Sequence, residues 1–277
     1  MVAQTSARGA VVRTPLAPMR AEPTVRAERV SEELLGAVLV VLERRDDWAR
    51  VRGEDGYEGW VHSGGLILSR SAQAEAWWDA SGGRPGLALD LELRDEEGKP
   101  LVRLPWGARI AVEGDLMHLP DGRRGRVAAG DWSLWEDPAG ARFPREGAAV
   151  VATARKWAGV PYIWGGRTRW GADCSGMVQM LYRTHGVLLP RDSYQQAQIG
   201  SPVDASVGLD AIEAGDLLFF RAMGSERVAH VALSLGGSRI IHAAEPNGFV
   251  REDDLQGGTD LERSLAGRIV AVRRLFF

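Results

Sequence analysis

The texture of the chain changes once, and that change constrains its fold. Up to about residue 137 the apolar runs are short, alternate with polar residues and are cut by Gly and Asp, as in "GAVLVVLERRDDWARVRG", "YEGWVHSGGLIL" and "LALDLELRDEEGKPLVRLPWGARIAVEG". Strands of period two and this length read as small β-barrels. After the Pro- and Gly-punctuated "WEDPAGARFPREG" the order becomes helix, helix, then strands. The expected organisation is α+β in three parts: a first barrel with an N-terminal extension over 1–70, a connector and second barrel over 71–140, and a mixed domain over 141–277. The connector, "SAQAEAWWDASGGRPG", has room for one or two helical turns. A weak repeat relates the barrels, since "DGYEGWV" at 55–61 returns as "DGRRGRV" at 121–127.

Composition excludes several function classes. Of the 277 residues 45% are hydrophobic and 26% charged, a globular balance, and the net charge of -3 leaves no broad basic surface for nucleic acid or anionic membrane. No apolar run approaches the roughly 18 residues that span a bilayer. The start, "MVAQTSARGAVVRTPLAPMRAEP", lacks the apolar core of a secretory signal, so the expected location is cytoplasmic, or outside if a signal has been removed. A monomer is the favoured state.

The chain has one cysteine, in "GADCSGMVQMLYRTHG". The spacing starts a helix at Cys174, with Val178, Leu181 and His185 on its inward stripe, Met177 and Tyr182 flanking, and Gly186 as the stop. A helix N-terminus favours thiolate over thiol, so Cys174 has the position of a nucleophile. It has equally the position of a buried structural cysteine. Asp173 and Ser175 flank it as possible helix caps.

A thiol nucleophile needs a base. His62 and His118 fall in the β-rich half, and His185 ends the Cys174 helix, where a cation suits the dipole. In "RVAHVALSLGGSRIIHAAEP" His230 and His242 lie twelve apart about Gly236, in two strands of a hairpin. An odd loop or a bulge puts them on one face, directly opposed for a loop centred near Gly236; a strict two-residue Gly-Gly turn separates them. Small neighbours, Val228, Ala232 and Ser234, are expected to leave room on the His230 face, while Val231, Leu233 and Leu235 load the other. Cysteine, histidine and a second polar ring to orient the first make a papain-type set. No metal-ligand spacing accompanies them, and neither metal nor organic cofactor is expected.

"PYIWGG", "DCSGMV", "LPRDSYQQ", "EAGDLLFF", "HVALSLGG" and "IIHAA", in this order over residues 142–277, resemble the NlpC family of bacterial cell-wall cysteine peptidases. The resemblance implies a papain-like fold and cleavage between γ-D-glutamate and a diamino acid in murein stem peptides. It implies Cys174 as nucleophile, His230 as base and His242 as the orienting third member. Tyr162 then matches a tyrosine beside the nucleophile, and Arg191, Asp192 and Ser193 a segment lining the substrate groove. A guanidinium at Arg191 suits the free α-carboxylate of a γ-linked glutamate; Arg191 is alternatively a surface charge.

The front of the chain resembles the first SH3-like domain of the branch that carries two such domains ahead of the peptidase and recycles murein peptides. There a tyrosine and an acid hold the free amine of an N-terminal L-alanine, which implies Tyr57 with Glu22, or Glu28 in its place. Two departures stand: Ala37 replaces an expected Glu, and Arg126 replaces the second unit's tryptophan. The expected activity is hydrolysis of L-Ala-γ-D-Glu-diamino acid peptides. A secreted hydrolase of intact murein and a non-catalytic wall-binding protein are the alternatives.

Overall fold

A computed structural model describes residues 8–70, 74, 76–135, 142–204 and 208–276. Its contacts divide the chain into two compact units, Met1–Pro138 and Ala139–Phe277. The two expected barrels therefore share one unit. Part of the connector (71–73 and 75) and part of the expected junction (136–141) lie outside the described residues.

In the first unit, β1 (Gly9–Val12), β2 (Leu16–Arg20), β3 (Arg29–Leu34), β4 (Val38–Arg45), β5 (Trp48–Arg52), β6 (Glu58–His62) and β7 (Leu66–Ser69) form one antiparallel sheet in the order β3-β2-β6-β5-β4-β1-β7. Alternate residues of these strands, among them Val12, Met19, Leu39, Val51 and Val61, fill its core, and Tyr57 packs on the edge of that cluster. A second sheet holds β8 (Arg84–Arg94), β9 (Pro100–Leu104), β10 (Arg109–Glu113), β11 (Leu116–His118) and β12 (Arg124–Leu134). Its order is β10-β11-β12-β8-β9, and β10 also pairs with β8, which closes four of the strands on themselves.

The sequence repeat is a repeat of one turn. Gly53 N–H donates to Tyr57 O at 2.9 Å, Gly56 N–H to Gly53 O at 3.1 Å, and Tyr57 N–H to the Asp55 carboxylate at 2.9 Å. In the second sheet Leu119 N–H donates to Arg123 O at 2.8 Å, Gly122 N–H to Leu119 O at 3.1 Å, and Arg123 N–H to the Asp121 carboxylate at 3.2 Å. Both turns need a left-handed residue, and glycine supplies it at Gly56 (φ 81°) and Gly122 (φ 84°). The connector is more than a spacer: Trp77 is buried with Val11, Ala74 and Ala111, and its indole N–H donates to Gly36 O at 3.1 Å.

The second unit contains α1 (Gly147–Arg155), a two-residue hairpin of β13 (Arg167–Thr168) and β14 (Gly171–Ala172), α2 (Cys174–Thr184) and the short α3 (Ser193–Gln196). There follow β15 (Ser201–Pro202), β16 (Leu217–Arg221), β17 (Val228–Gly236), β18 (Arg239–Ala244), β19 (Phe249–Asp254), α4 (Asp260–Ala266) and β20 (Ile269–Arg274). The six strands run antiparallel in the order β15-β20-β16-β17-β18-β19, and α2 packs on β17 and β18. Helix α2 starts at Cys174 as its spacing predicts, but it is buried nearly all round. Among the described residues no helix is long and apolar enough to cross a membrane.

Candidate active site

The site is assembled around the first turn of α2. Asp173 is the N-cap, its backbone extended and one carboxylate oxygen accepting the Gly176 N–H at 2.7 Å. The other oxygen accepts the Gly165 N–H at 2.8 Å, from a glycine held left-handed at φ 75°. The "WGG" of the preceding loop is thereby tied to the Cys174 helix. A side chain at Gly176 would run into the Gly166 carbonyl oxygen, so the Asp-Cys-Ser-Gly series ends on glycine because two backbones meet there. Ser175 is not a second cap; its hydroxyl donates to Asp173 at 3.2 Å.

Arg191 requires a correction. It is 2% exposed, and its two terminal nitrogens bond Asp173 at 3.0 and 2.5 Å and Ser175 Oγ at 2.8 Å. The bidentate geometry expected for a substrate carboxylate is formed with Asp173 instead, because a buried carboxylate at the helix start needs a buried cation. Arg191 is neither a free groove residue nor a surface charge. Asp192 caps α3 in a reciprocal capping box with Gln195, and Ser193 is buried as the first residue of that helix.

Cys174 is 7% exposed, and its sulfur lies against the Val231 backbone N–H, one residue beyond His230 on β17. Burial pushes its thiol up to about 12, and the Asp173 charge adds to the shift, while Val231 N–H, the Arg191 guanidinium and Ser175 N–H oppose it. The expectation that the helix N-terminus leaves a resting thiolate is thus corrected: desolvation outweighs it. His230 moves the opposite way, well below the ordinary histidine range, through burial and then the His242 and Arg268 charges. Burial thus disfavours the charged form of each group, the Cys174 thiolate and the His230 imidazolium.

The two hairpin histidines meet, His230 Nε2 lying 2.7 Å from His242 Nδ1. Their register differs from direct opposition. Strands β17 and β18 pair Leu233 with Ile241 and Ser234 with Ile240, then shift to Gly236 with Arg239. The bulge expected as one way to keep both rings on one face is present, and extending the register sets His242 across from Ala232, with His230 its diagonal neighbour. The His230 face is also not open. Ala232 packs with Leu218, Phe220, Ile240 and Val272 beneath Leu265 of α4, so the ring stands where a second core ends, 5.6 Å from the Phe220 ring.

Beyond His242 stands a residue that sequence reading missed. Asp253 Oδ2 lies 2.8 Å from His242 Nε2, both side chains fully buried, and Asp253 also pairs with Arg251. In "FVREDDLQ" it looks like one of a solvated charge run. Only the pairing of His242 with Arg251 across β18 and β19 sets Asp253 diagonal to His242. His185, expected as a cationic cap, does end α2, but burial lowers its pKa, and it bonds Thr153 Oγ1 at 2.9 Å and Pro144 O at 2.6 Å as a neutral ring.

Tyr162 precedes this turn, bridged to Ala172 and donating its N–H to Gly248 O at 2.7 Å. Burial, then the neighbouring Cys174 and Asp173, raise its hydroxyl's pKa, which keeps the phenol a proton donor. In the first unit Glu22 and Glu28 are exposed at the turn between β2 and β3, linked through Ala21 N–H to Glu28 O, and Tyr57 enters β6, the neighbour of β2. Among the described residues no group of His, Cys, Asp or Glu side chains could hold a metal ion.

A cysteine at a helix start, its sulfur against the strand that carries one of two hydrogen-bonded imidazoles, is the layout of a papain-like thiol hydrolase. Residues 159–267 match the NlpC/P60 family, and residues 19–66 match the bacterial dipeptidyl-peptidase Sh3 domain. A protein named dipeptidyl-peptidase 6 from Lysinibacillus sphaericus is 30% identical, over 96% of this chain and 99% of its own length. One named gamma-D-glutamyl-L-lysine dipeptidyl-peptidase from Bacillus cereus is 28% identical over 77% of this chain, which spans 66% of that relative's length. The crystal structure of a Bacillus cereus NlpC/P60 family protein shares the fold, with a TM-score of 0.75 over 96% of this chain and 99% of that one at 22% identity. The chain belongs to the NlpC/P60 family of cysteine peptidases.

Proposed function

We propose that this enzyme hydrolyses the bond between γ-D-glutamate and a diamino acid in free murein peptides that begin with an unblocked L-alanine, as a step in recycling cell-wall peptides in the cytoplasm. The observation that carries the chemistry is the Cys174 sulfur against Val231 N–H with His230 and His242 joined at 2.7 Å. His230 takes the thiol proton as sulfur attacks the γ-carbonyl carbon. The oxyanion forms beside the first N–H groups of α2 and the protonated Tyr162 hydroxyl, where donors fixed in a dry site stabilise charge best. Collapse expels the diamino acid amine, which leaves with the proton from His230. Water, deprotonated by the same ring, then cleaves the thioester.

The substrate class is supported by the name of the B. cereus relative, and the recycling role by the match to the dipeptidyl-peptidase Sh3 domain. An exposed ion pair between Glu22 and a substrate ammonium would contribute under about 1 kcal/mol; enclosed by substrate, an unpaired carboxylate there costs several. The test compares L-Ala-γ-D-Glu-diamino acid with its N-acetylated form and with muramyl-linked peptide, repeated for Tyr57→Ala, Glu22→Ala and Glu28→Ala. Selective cleavage of the free peptide, lost with Tyr57 and one of the two acids, is the expected result. Similar rates on blocked and free peptides would favour a secreted hydrolase of intact murein.

A further inference from the structure

The proton chemistry proposed for His230 needs one nitrogen of that ring to carry a lone pair, and a neutral imidazole has two tautomers between which nothing in the ring itself decides. The chain of contacts beyond it does decide. Asp253 is fully buried, and an ionised carboxylate can only accept, so His242 Nε2, 2.8 Å away, is the donor. A neutral His242 then has its lone pair on Nδ1. That lone pair, 2.7 Å from His230 Nε2, requires the hydrogen to sit on Nε2 of His230. The remaining nitrogen, His230 Nδ1, is left as the base.

We infer that Asp253 is a positioning residue that, with Arg251 as its counter-ion, fixes the tautomers of His242 and His230 and so selects His230 Nδ1 as the basic nitrogen. The inference rests on the peptidase reading for its meaning in turnover. Arg251 has a specific part. A buried carboxylate without a counter-charge would draw a proton onto His242, and both nitrogens of a cationic His242 donate. His230 Nε2 would then have to accept, its hydrogen would move to Nδ1, and the base would be lost. Arg251, on the same face of β19, neutralises Asp253 without that proton. Of the charged groups on neighbouring elements, Arg268 after α4 acts on His230, and Cys174 of α2 lies against Val231, the next residue on β17.

The experiment has a spectroscopic arm and a kinetic arm. Imidazole nitrogen NMR on histidine-labelled Cys174→Ala protein is expected to show single Nε2–H tautomers for both rings. Asp253→Asn, whose amide can donate or accept, should mix them. In the active enzyme Asp253→Asn should lower kcat about 100-fold or more with KM little changed, as tautomer errors do in other triads. Arg251→Gln, at a part-exposed side chain, should move the acidic limb of the pH–rate profile to higher pH, and Arg251→Lys should return it. Unchanged tautomers in Asp253→Asn, or an acidic limb unmoved by Arg251→Gln, would overturn the inference. If Asp253→Asn fails to fold, the Arg251 pair decides alone. Absence of γ-glutamyl hydrolysis by the parent enzyme would instead defeat the peptidase reading, and the spectra would still judge the tautomers.

Discussion

Removing the carboxylate at Asp173 should cost the catalytic unit far more than a helix cap is normally worth. That group accepts from Gly176 and Gly165 N–H, from the Ser175 hydroxyl and twice from Arg191. The cap alone is worth about 1 kcal/mol. Asp173→Ala also strands the Arg191 guanidinium at 2% exposure, and an uncompensated buried charge costs about 3–5 kcal/mol. The sum, about 4 kcal/mol or more, corresponds to a fall of about 12 °C in the unit's Tm. Arg191→Met should cost less, about 2 kcal/mol, because Asp173 keeps two backbone donors and a hydroxyl. In the double variant neither charge is left alone, so its cost should fall short of the sum by about 2–3 kcal/mol. Calorimetry on the parent, both single variants and the double closes the cycle. Additive losses, or a shift under about 3 °C for Asp173→Ala, would show that the pair does not hold the turn that carries Cys174.

Three further outcomes follow from the same geometry. Cys174→Ala should abolish hydrolysis while leaving the thermal transition and peptide binding nearly unchanged, and Cys174→Ser should be nearly inactive, a hydroxyl being the weaker nucleophile; product analysis by mass, with calorimetry, checks both. His230→Ala should lose more kcat than His242→Ala, because in the proposed mechanism the first accepts the proton and the second orients it; steady-state kinetics rank them. Burial lowers the pKa of His185 in the fold, so the unfolded chain binds more protons below about pH 6.5 and stability should drop as pH falls through that value. His185→Gln should flatten the slope by up to one proton, measured as urea unfolding between pH 5 and 7.5.

What was legible in the sequence is what depends on short range. The start of α2, its cap at Asp173 and the shared face of His230 and His242 follow from period and spacing within a few residues. The destination of Arg191 does not, because it crosses back from the loop after α2 to the start of that helix. Asp253 was invisible because its place beside His242 is set by the β18–β19 register, and its charge pattern alone suits a solvated edge. The burial of the thiol is hidden from the sequence for a related reason: the helix end is local, but the desolvation that raises the Cys174 pKa comes with packing of α2 on β17 and β18. The room expected beside His230 is filled by α4, which joins that face from late in the chain.

The paired turns at Gly53–Tyr57 and Leu119–Arg123 are fastened by backbone donors and by an aspartate at their third position. The fastening common to both turns uses only the backbone of the fifth residue; in the second turn the Arg123 guanidinium adds its own pairing with Asp121 at 2.8 Å. A duplicated barrel can therefore exchange the tyrosine for an arginine there without disturbing its own architecture, so one copy can keep a recognition task while the other is free to change chemistry. Grafting Tyr57's neighbourhood onto the second turn becomes a local substitution, because the scaffold that would present it is already built.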